Sequence, residues 1–434
     1  MLGVADEIEL IIDKPAAGGR MLARHEGRVI LVHGAIPGER IRARVTKVER
    51  QLAFATTVDV LETSPDRRKP STDLACGGSS YAHVQYPRQL ELKSEIIKDA
   101  FARLARIPVA APLEVQPSPE RGYRMRARFH VRDGRVGFYK EGTHELCDAA
   151  STGQVLDQTM TAVSAALDVL GGSARLIAVE VAENVNGNQR ALHVQSDEAD
   201  VPVSALEAAV AAGDLTGCSA YSPAGSRAAG IPVVSDAIAL LTRGRAGGGV
   251  LERHAESFFQ ANRFLLPDLV AQVLDSVLPD GRVTDLYAGV GLFSVALAHA
   301  GREGITAVEG DKTSARDLMA NASACGAAVR VLIGSVEAFL RSGPPKADTV
   351  IVDPPRTGIS RNAIEALVRV RPRRLVYVSC DPPTMARDAA RFVAAGYELR
   401  SLRAFDLFPN TPHVETLGVF DLGAVASRRD KRVE

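Results

Sequence analysis

The stretch that most narrows the fold is Val283-Thr284-Asp285-Leu286-Tyr287-Ala288-Gly289-Val290-Gly291-Leu292-Phe293, which reads as a short strand, a glycine turn and the start of a helix. Its two glycines let the backbone approach a ligand at a helix N-terminus. A second apolar strand, residues 305–308, ends in Glu309, about 20 residues past the turn, where an acidic side chain accepts hydrogen bonds from ribose hydroxyls in nucleotide-binding α/β folds. A nicotinamide cofactor would call for a third glycine where Ser294 stands. Strand, tight turn, helix and strand in this order point to a parallel sheet with helical crossovers.

Two further strands share one kind of ending. Residues 349–352 run into Asp353-Pro354-Pro355-Arg356, and residues 375–378 run into Ser379-Cys380-Asp381-Pro382-Pro383. β-prone runs stopped by proline turns read as buried strands. Cys380 thus falls at the carboxyl end of a strand, where open α/β sheets hold their ligands. On its own it reads as a small buried hydrophobe, and Asp353 before two prolines reads as a turn former. Strands near residues 329–333, 398–404 and 416–421 bring the C-terminal sheet to seven.

At 434 residues the chain has room for two to four domains. Its 52 basic and 52 acidic residues cancel, so any nucleic-acid surface has to be local. Two strands offer one. Arg40, Arg42 and Arg44 share a face opposite Ile41, Ala43 and Val45, and Arg124, Arg126, Arg128, His130 and Arg132 share a face opposite Met125, Ala127, Phe129 and Val131. A solvated face explains the first as well as RNA does. Like charges crowded on the second repel one another, which points to phosphate contact. The five cysteines (Cys76, Cys147, Cys218, Cys325, Cys380) are odd in number and lack paired spacing, which indicates a reducing cytoplasm rather than a disulfide framework. No basic-plus-apolar leader opens the chain, and no apolar run reaches the roughly 18 residues of a membrane span, so a soluble cytoplasmic monomer without membrane partners is expected.

Short strands punctuated by Gly and Pro over residues 1–62 read as a small all-β barrel. Residues 63–248 read as a central α+β domain, with helices over 89–105, 162–170 and 203–212, strands over 176–181, 191–194 and 238–241, and a glycine-rich end at 243–249. Residues 249–425 form the α/β domain, and 426–434 a disordered basic tail.

Gly18-Gly19, His25-Glu26-Gly27-Arg28 and Gly34-Ala35-Ile36-Pro37-Gly38-Glu39 resemble a TRAM domain, an OB-like RNA-binding barrel. The turn at 285–293 resembles the first motif of class I methyltransferases, which bind S-adenosylmethionine. Taken together, SFFQAN (257–262), DLYAGVGLF (285–293), DPPRTG (353–358), VYVSCDPPTMARD (376–388) and DLFPNTPHVET (406–416) are similar in order and spacing to the RNA uridine-5 methyltransferase family. The resemblance implies a Rossmann-like catalytic domain with a seven-stranded sheet, and a cofactor held by Gln260, Tyr287, Gly289, Gly291, Glu309, Ser335 and Asp353. It also implies roles for Cys380, Glu415 and Asp353. Carbon 5 of uracil is too weakly nucleophilic to attack a sulfonium methyl unaided, so Cys380 would add to carbon 6 as a thiolate. Glu415 would remove the carbon 5 proton afterwards, and Asp353 would stand at the junction of cofactor and base. The target uridine must be unpaired or flipped out. Arg124, Arg126, Arg128, Arg132, Arg40 and Arg42 are the candidate RNA contacts.

The chain departs from the family in several places. The family holds an iron–sulfur cluster on four cysteines, whereas only Cys76 and Cys147 stand here and Ser79 takes a ligand position. No cluster and no other metal is expected, and the two cysteines are expected to serve in packing. Asp381 and Pro383 replace the usual Asn and Ala. The TRAM-like barrel resembles ribosomal members of the family, which makes 23S ribosomal RNA the leading substrate and transfer RNA the second. Two rival readings stay open: an amino-methyltransferase acting on a purine, which needs no thiol, and a non-catalytic RNA-binding protein, which needs no cofactor.

Overall fold

The computed structural model describes residues 2–423 apart from 111, 173–174, 199 and 344; the basic tail lies outside the described residues. Strands Glu7–Pro15, Met21–His25, Arg28–His33, Arg40–Val48 and Leu52–Glu62 close into a barrel in which the fifth strand lies between the third and fourth. Alternate residues such as Leu10, Ile12, Ile30, Val32, Ile41 and Ala43 fill its interior, as the period of two in a strand requires.

A seven-stranded sheet follows, in the order Gly225–Gly230, Gly217–Ser222, Arg190–Ser196, Leu176–Glu183, Arg126–Arg132, Arg135–Tyr139, Leu146–Asp148. Helices Asp157–Leu170 and Val203–Gly213 bury Val163, Ala166, Leu206 and Ala209 against Phe129, Val181 and Leu192 of that sheet. Residues 238–241, expected as a strand, form the helical turn Ile238–Leu241. A four-residue apolar run carries no periodicity to separate the two. The strand before it, Val233–Ala237, pairs with Val250–His254, so pairing spans the glycine-rich stretch.

The C-terminal sheet has eight strands rather than the expected seven. Its order is Val329–Ile333, Ile305–Glu309, Val283–Leu286, Thr349–Val352, Arg374–Ser379, Glu415–Leu422, Tyr397–Phe405, Val115–Gln116. Glu415–Leu422 runs antiparallel to both its neighbours, and the other pairings are parallel. The extra strand comes from far upstream, delivered by helix Tyr86–Ala100 and its π-helical continuation Phe101–Ala105. Ile97, Phe101, Leu113 and Val115 thereby join the core on one face of the sheet with Val350, Val352, Leu375 and Tyr377, while Ile351, Val376 and Val378 face the other core. No helix among the described residues is long and apolar enough to cross a membrane.

Cys76 and Cys147, expected as unbonded packing residues, are instead joined in a disulfide with a Cα–Cα distance of 5.8 Å. Cys147 lies opposite Phe138 in the hairpin that also bridges Cys76 to Lys140, so the fold unites thiols 71 residues apart. Chain spacing carries no trace of that contact. Ser71 and Ser79 offer hydroxyls rather than thiolates, a donor set that does not suit a four-thiolate cluster.

Candidate active site

The parallel strands end at one edge of the C-terminal sheet, and the chemistry-bearing residues follow those ends. After Val283–Leu286 the chain turns through Tyr287, Gly289 and Gly291, with φ of 61°, 58° and 95°. A Cβ on Gly289 would meet nothing within 4 Å, whereas one on Gly291 would meet Leu318 and Val295 at 2.8 Å. The first glycine leaves backbone open to a ligand, and the second lets the helix Leu292–His299 pack. Glu309 ends the neighbouring strand. Its two oxygens accept the backbone N–H of Gly289 at 2.7 Å and of Asp311 at 2.6 Å. A carboxylate has about four lone-pair sites, so this anchored group can still accept ribose hydroxyls. Ser335, just past the strand Val329–Ile333, caps helix Val336–Arg341 by accepting the Ala338 N–H at 3.2 Å.

Asp285 lies fully buried beneath the turn. One oxygen accepts the Ser294 N–H at 3.1 Å, and the other has no partner among the described residues. Burial pushes its carboxyl up to about 7, against the pull of the Ser294 hydrogen bonds. An orphaned acceptor, an open glycine and an anchored ribose-type acid fit S-adenosylmethionine, which carries an ammonium group, a sulfonium and a ribose.

On the next strands, register brings the reactive groups together. Ser379 pairs with Thr416, so Cys380 and Glu415 are the facing residues just past the end of that ladder. Val352 pairs with Tyr377, which puts Asp353 at the same edge. Gln260 Nε2 donates to Asp353 Oδ2 at 3.0 Å. Glu415 is buried, and its Oε1 has no partner among the described residues. Burial and then the Asp353 charge raise its carboxyl well above the usual range, with Arg356 opposing. Burial lifts Asp353 to about 7, opposed by the Gln260 hydrogen bond. The Cys380 thiol is pushed up to about 12 by burial and by Glu415, while Arg356 opposes through its charge and a hydrogen bond. Burial therefore keeps the resting Cys380 thiol protonated and disfavours the charged form of the Glu415 carboxyl beside it. Arg356 is the cation that favours their anions.

The segment carrying Gln260 is held rigidly. Met125 N–H donates to Ala261 O at 2.8 Å and Arg263 N–H to Tyr123 O at 2.9 Å, while Arg263 pairs with buried Glu183 and donates to the carbonyls of Asn184 and Val185. The Arg253 guanidinium lies 3.9 Å from the centre of the Phe259 ring. This places the start of the arginine-rich strand beside the site, where Arg124 bridges Asn262.

That strand alternates as expected, but its charges are not left to repel. Glu180, opposite Arg128 in the neighbouring strand, pairs with Arg126 at 2.6 Å and Arg128 at 2.8 Å. Arg124 instead donates to Gln154 Oε1 and the Arg126 carbonyl, and exposed Arg132 to the His144 carbonyl. On the barrel, Arg40 pairs with Glu9 and Glu62, and Arg42 lies 3.8 Å from Asp59. Sequence reasoning expected Cys380, Glu415, Asp353 and Gln260 at one place; sheet register sets the first three at one edge, and Gln260 is hydrogen-bonded to Asp353. That reasoning passed over Arg356 and Asp285, although both stand inside the motifs DPPRTG and DLYAGVGLF.

Comparison with known proteins follows this geometry. The family profile described as tRNA (Uracil-5-)-methyltransferase matches residues 344–422, and the TRAM domain profile matches residues 4–58. An RNA methyltransferase of Nitratidesulfovibrio vulgaris, itself described as uncharacterized, is 32% identical over 94% of this chain and 95% of its own. The 23S rRNA (uracil(1939)-C(5))-methyltransferase RlmD of Alkalilimnicola ehrlichii is 31% identical over 96% of each chain. The crystal structure of Pyrococcus abyssi tRNA (uracil-54, C5)-methyltransferase in complex with S-adenosyl-L-homocysteine shares the fold, with a TM-score of 0.74 over 95% of this chain and 99% of that one at 22% identity. With relatives of this similarity aligned over almost the whole of both chains, the protein belongs to the S-adenosylmethionine-dependent RNA uracil-5 methyltransferase family.

Proposed function

We propose that the protein methylates carbon 5 of a uridine in 23S ribosomal RNA through a covalent Cys380–carbon 6 adduct. The observation that carries this reading is the facing pair Cys380 and Glu415, with Asp353 and Gln260 beside it at the end of the glycine-turn sheet. S-adenosylmethionine, when bound, supplies an electrophilic methyl group. Tyr287, Gly289, Gly291, Glu309 and Ser335 would hold its adenosine portion, with Asp353 and Gln260 at the methionine end.

Cys380 loses its proton to water and adds through sulfur to carbon 6, moving the double-bond electrons onto the uracil enolate. The Arg356 guanidinium stabilises the thiolate by Coulomb attraction in a site of low polarity. Carbon 5 would then take the methyl group as the methyl–sulfonium bond breaks, its electron pair staying on sulfur to leave a neutral thioether. Glu415, as carboxylate, removes the carbon 5 proton; those electrons restore the double bond and expel the thiolate.

Arg40, Arg42, Arg128 and Arg132 are surface cations. Exposed ion pairs contribute only about 0–1 kcal/mol, so phosphates can replace the carboxylate partners of Arg40 and Arg42 at little cost. Arg132 holds the His144 carbonyl, while Arg128 shares the buried Glu180. Arg124, nearer the site, would contact the displaced nucleotide, whereas Arg126 is held in the packing by Glu180 and the Ser257 carbonyl. The ribosomal substrate is favoured by the likeness to RlmD over the full length, barrel included. Transfer RNA is the second reading, favoured by the description of the matching family profile. Incubation with 23S ribosomal RNA or transfer RNA lacking the modification separates the two. With ribosomal RNA, Glu415→Gln should accumulate a denaturation-resistant protein–RNA adduct that Cys380→Ala does not form. Methylation unaffected by Cys380→Ala would instead favour amino-group chemistry.

A further inference from the structure

We infer that Asn410 is a positioning residue for the proton-removal step, fixing the loop that carries Glu415 to the N-terminal half of the chain. This rests on the covalent reading above. The loop from Asp406 to Val414 leaves the sheet and returns directly into Glu415. Asn410 sits at its tip with φ 63°, a conformation side chains rarely adopt.

Its polar groups reach three separate segments. Oδ1 accepts from Arg68 Nη2 at 2.7 Å and Gln89 Nε2 at 3.0 Å, the backbone N–H donates to Gln89 Oε1 at 2.9 Å, and the carbonyl accepts the Tyr81 N–H at 2.8 Å. Gln89 is itself buried and donates to the carbonyls of Tyr81 and Val84, and Arg68 pairs with Glu120. Further along the loop, buried Lys93 pairs with Asp406 at 2.5 Å and donates to the Phe408 carbonyl at 3.1 Å, while Asn262 Nδ2 donates to the Leu407 carbonyl at 3.1 Å. The barrel touches the same loop, since a methyl group on Gly19 would meet Pro412 Cγ at 2.8 Å.

Such a clamp has a chemical use. Glu415 Oε1 has no partner among the described residues, so hydrogen bonds of its own do not fix where that oxygen stands. The loop before it must do so, and misplacing a catalytic group by about 1 Å costs roughly 100-fold. Cys380 follows a different strand, Arg374–Ser379, and no hydrogen bond among the described residues ties its side chain to this loop. Loosening Asn410 should therefore slow release of the product while sparing formation of the adduct.

Asn410→Gly keeps the left-handed backbone and removes only the side-chain acceptor. The expected result is a fall in turnover of roughly tenfold to 100-fold, unchanged affinity for S-adenosylmethionine, and accumulation of a methylated protein–RNA adduct like that of Glu415→Gln. Asn410→Asp, which retains the acceptor, should restore adduct decay. Wild-type decay in Asn410→Gly would overturn the inference, and so would equal loss of cofactor affinity and adduct formation, the mark of a merely structural role. Methylation that survives Cys380→Ala would overturn the covalent reading itself, which separates the two failures.

Discussion

Asp285 and Arg356 show what a single side chain contributes once its surroundings are known. Folding raises the Asp285 carboxyl from its ordinary 3.8 to about 7. The folded state thus holds this proton more tightly than the unfolded one. Its stabilising effect is complete below the ordinary value and is lost as pH rises through 7. A shift of that size corresponds to roughly 4 kcal/mol at most. The cofactor-free protein should unfold at a lower temperature at pH 8 than at pH 5, and Asp285→Asn should flatten the difference; an unchanged slope would show that Asp285 is not the group responsible. Arg356 works in the opposite sense on Cys380. Replacing it by alanine removes the cation opposing burial, so the rising limb of kcat/KM against pH should move to higher pH, with Arg356→Lys in between. An unmoved limb would free the thiol of its influence. Cys380 and Glu415 were singled out because the first follows the end of a strand and the second opens one, each inside a run that resembles the family. Arg356 was not, since an exposed arginine after two prolines has no periodicity to mark it.

The arginine-rich strand teaches the same lesson one level up. Its alternation could be read directly, because a strand sends successive side chains to opposite faces. Its counter-charge could not, because Glu180 lies some 50 residues further on and meets Arg126 and Arg128 only through sheet pairing. The pairing divides the strand into two kinds of arginine. Arg132→Ala should weaken RNA binding and lower the slope of log affinity against log salt by about one, with unfolding unchanged. Arg126, which also donates to the Ser257 carbonyl at 3.0 Å, is part of the packing, and Arg126→Ala should cost about 1–3 kcal/mol of stability in denaturant titrations. Equal effects of both substitutions on binding and on stability would contradict this division. The short run at 238–241 was misread for a related reason, since four apolar residues suit a helical turn as well as a strand.

At the scale of the whole molecule, what escaped the sequence is connection across distance. The eighth strand of the catalytic sheet is only two residues long, Val115–Gln116, and lies more than 150 residues before the glycine turn; no local pattern announces it. The Cys76–Cys147 bond likewise depends on a hairpin that brings the sulfurs together. Closing a loop of that length restricts the unfolded chain by about 4 kcal/mol in the chain-entropy account, so a thiol reductant should lower the unfolding midpoint of the protein. An identical midpoint with and without reductant would argue against the bond in solution. The three regions nevertheless converge on one edge of one sheet, and the account stands or falls on what happens there. The most direct test is transfer of labelled methyl from S-adenosylmethionine to 23S ribosomal RNA lacking the modification, followed by nucleoside analysis, with Cys380→Ala in parallel. The account predicts label in 5-methyluridine that vanishes in Cys380→Ala; label in a methylated purine, or in 5-methyluridine made equally well without the thiol, would contradict it.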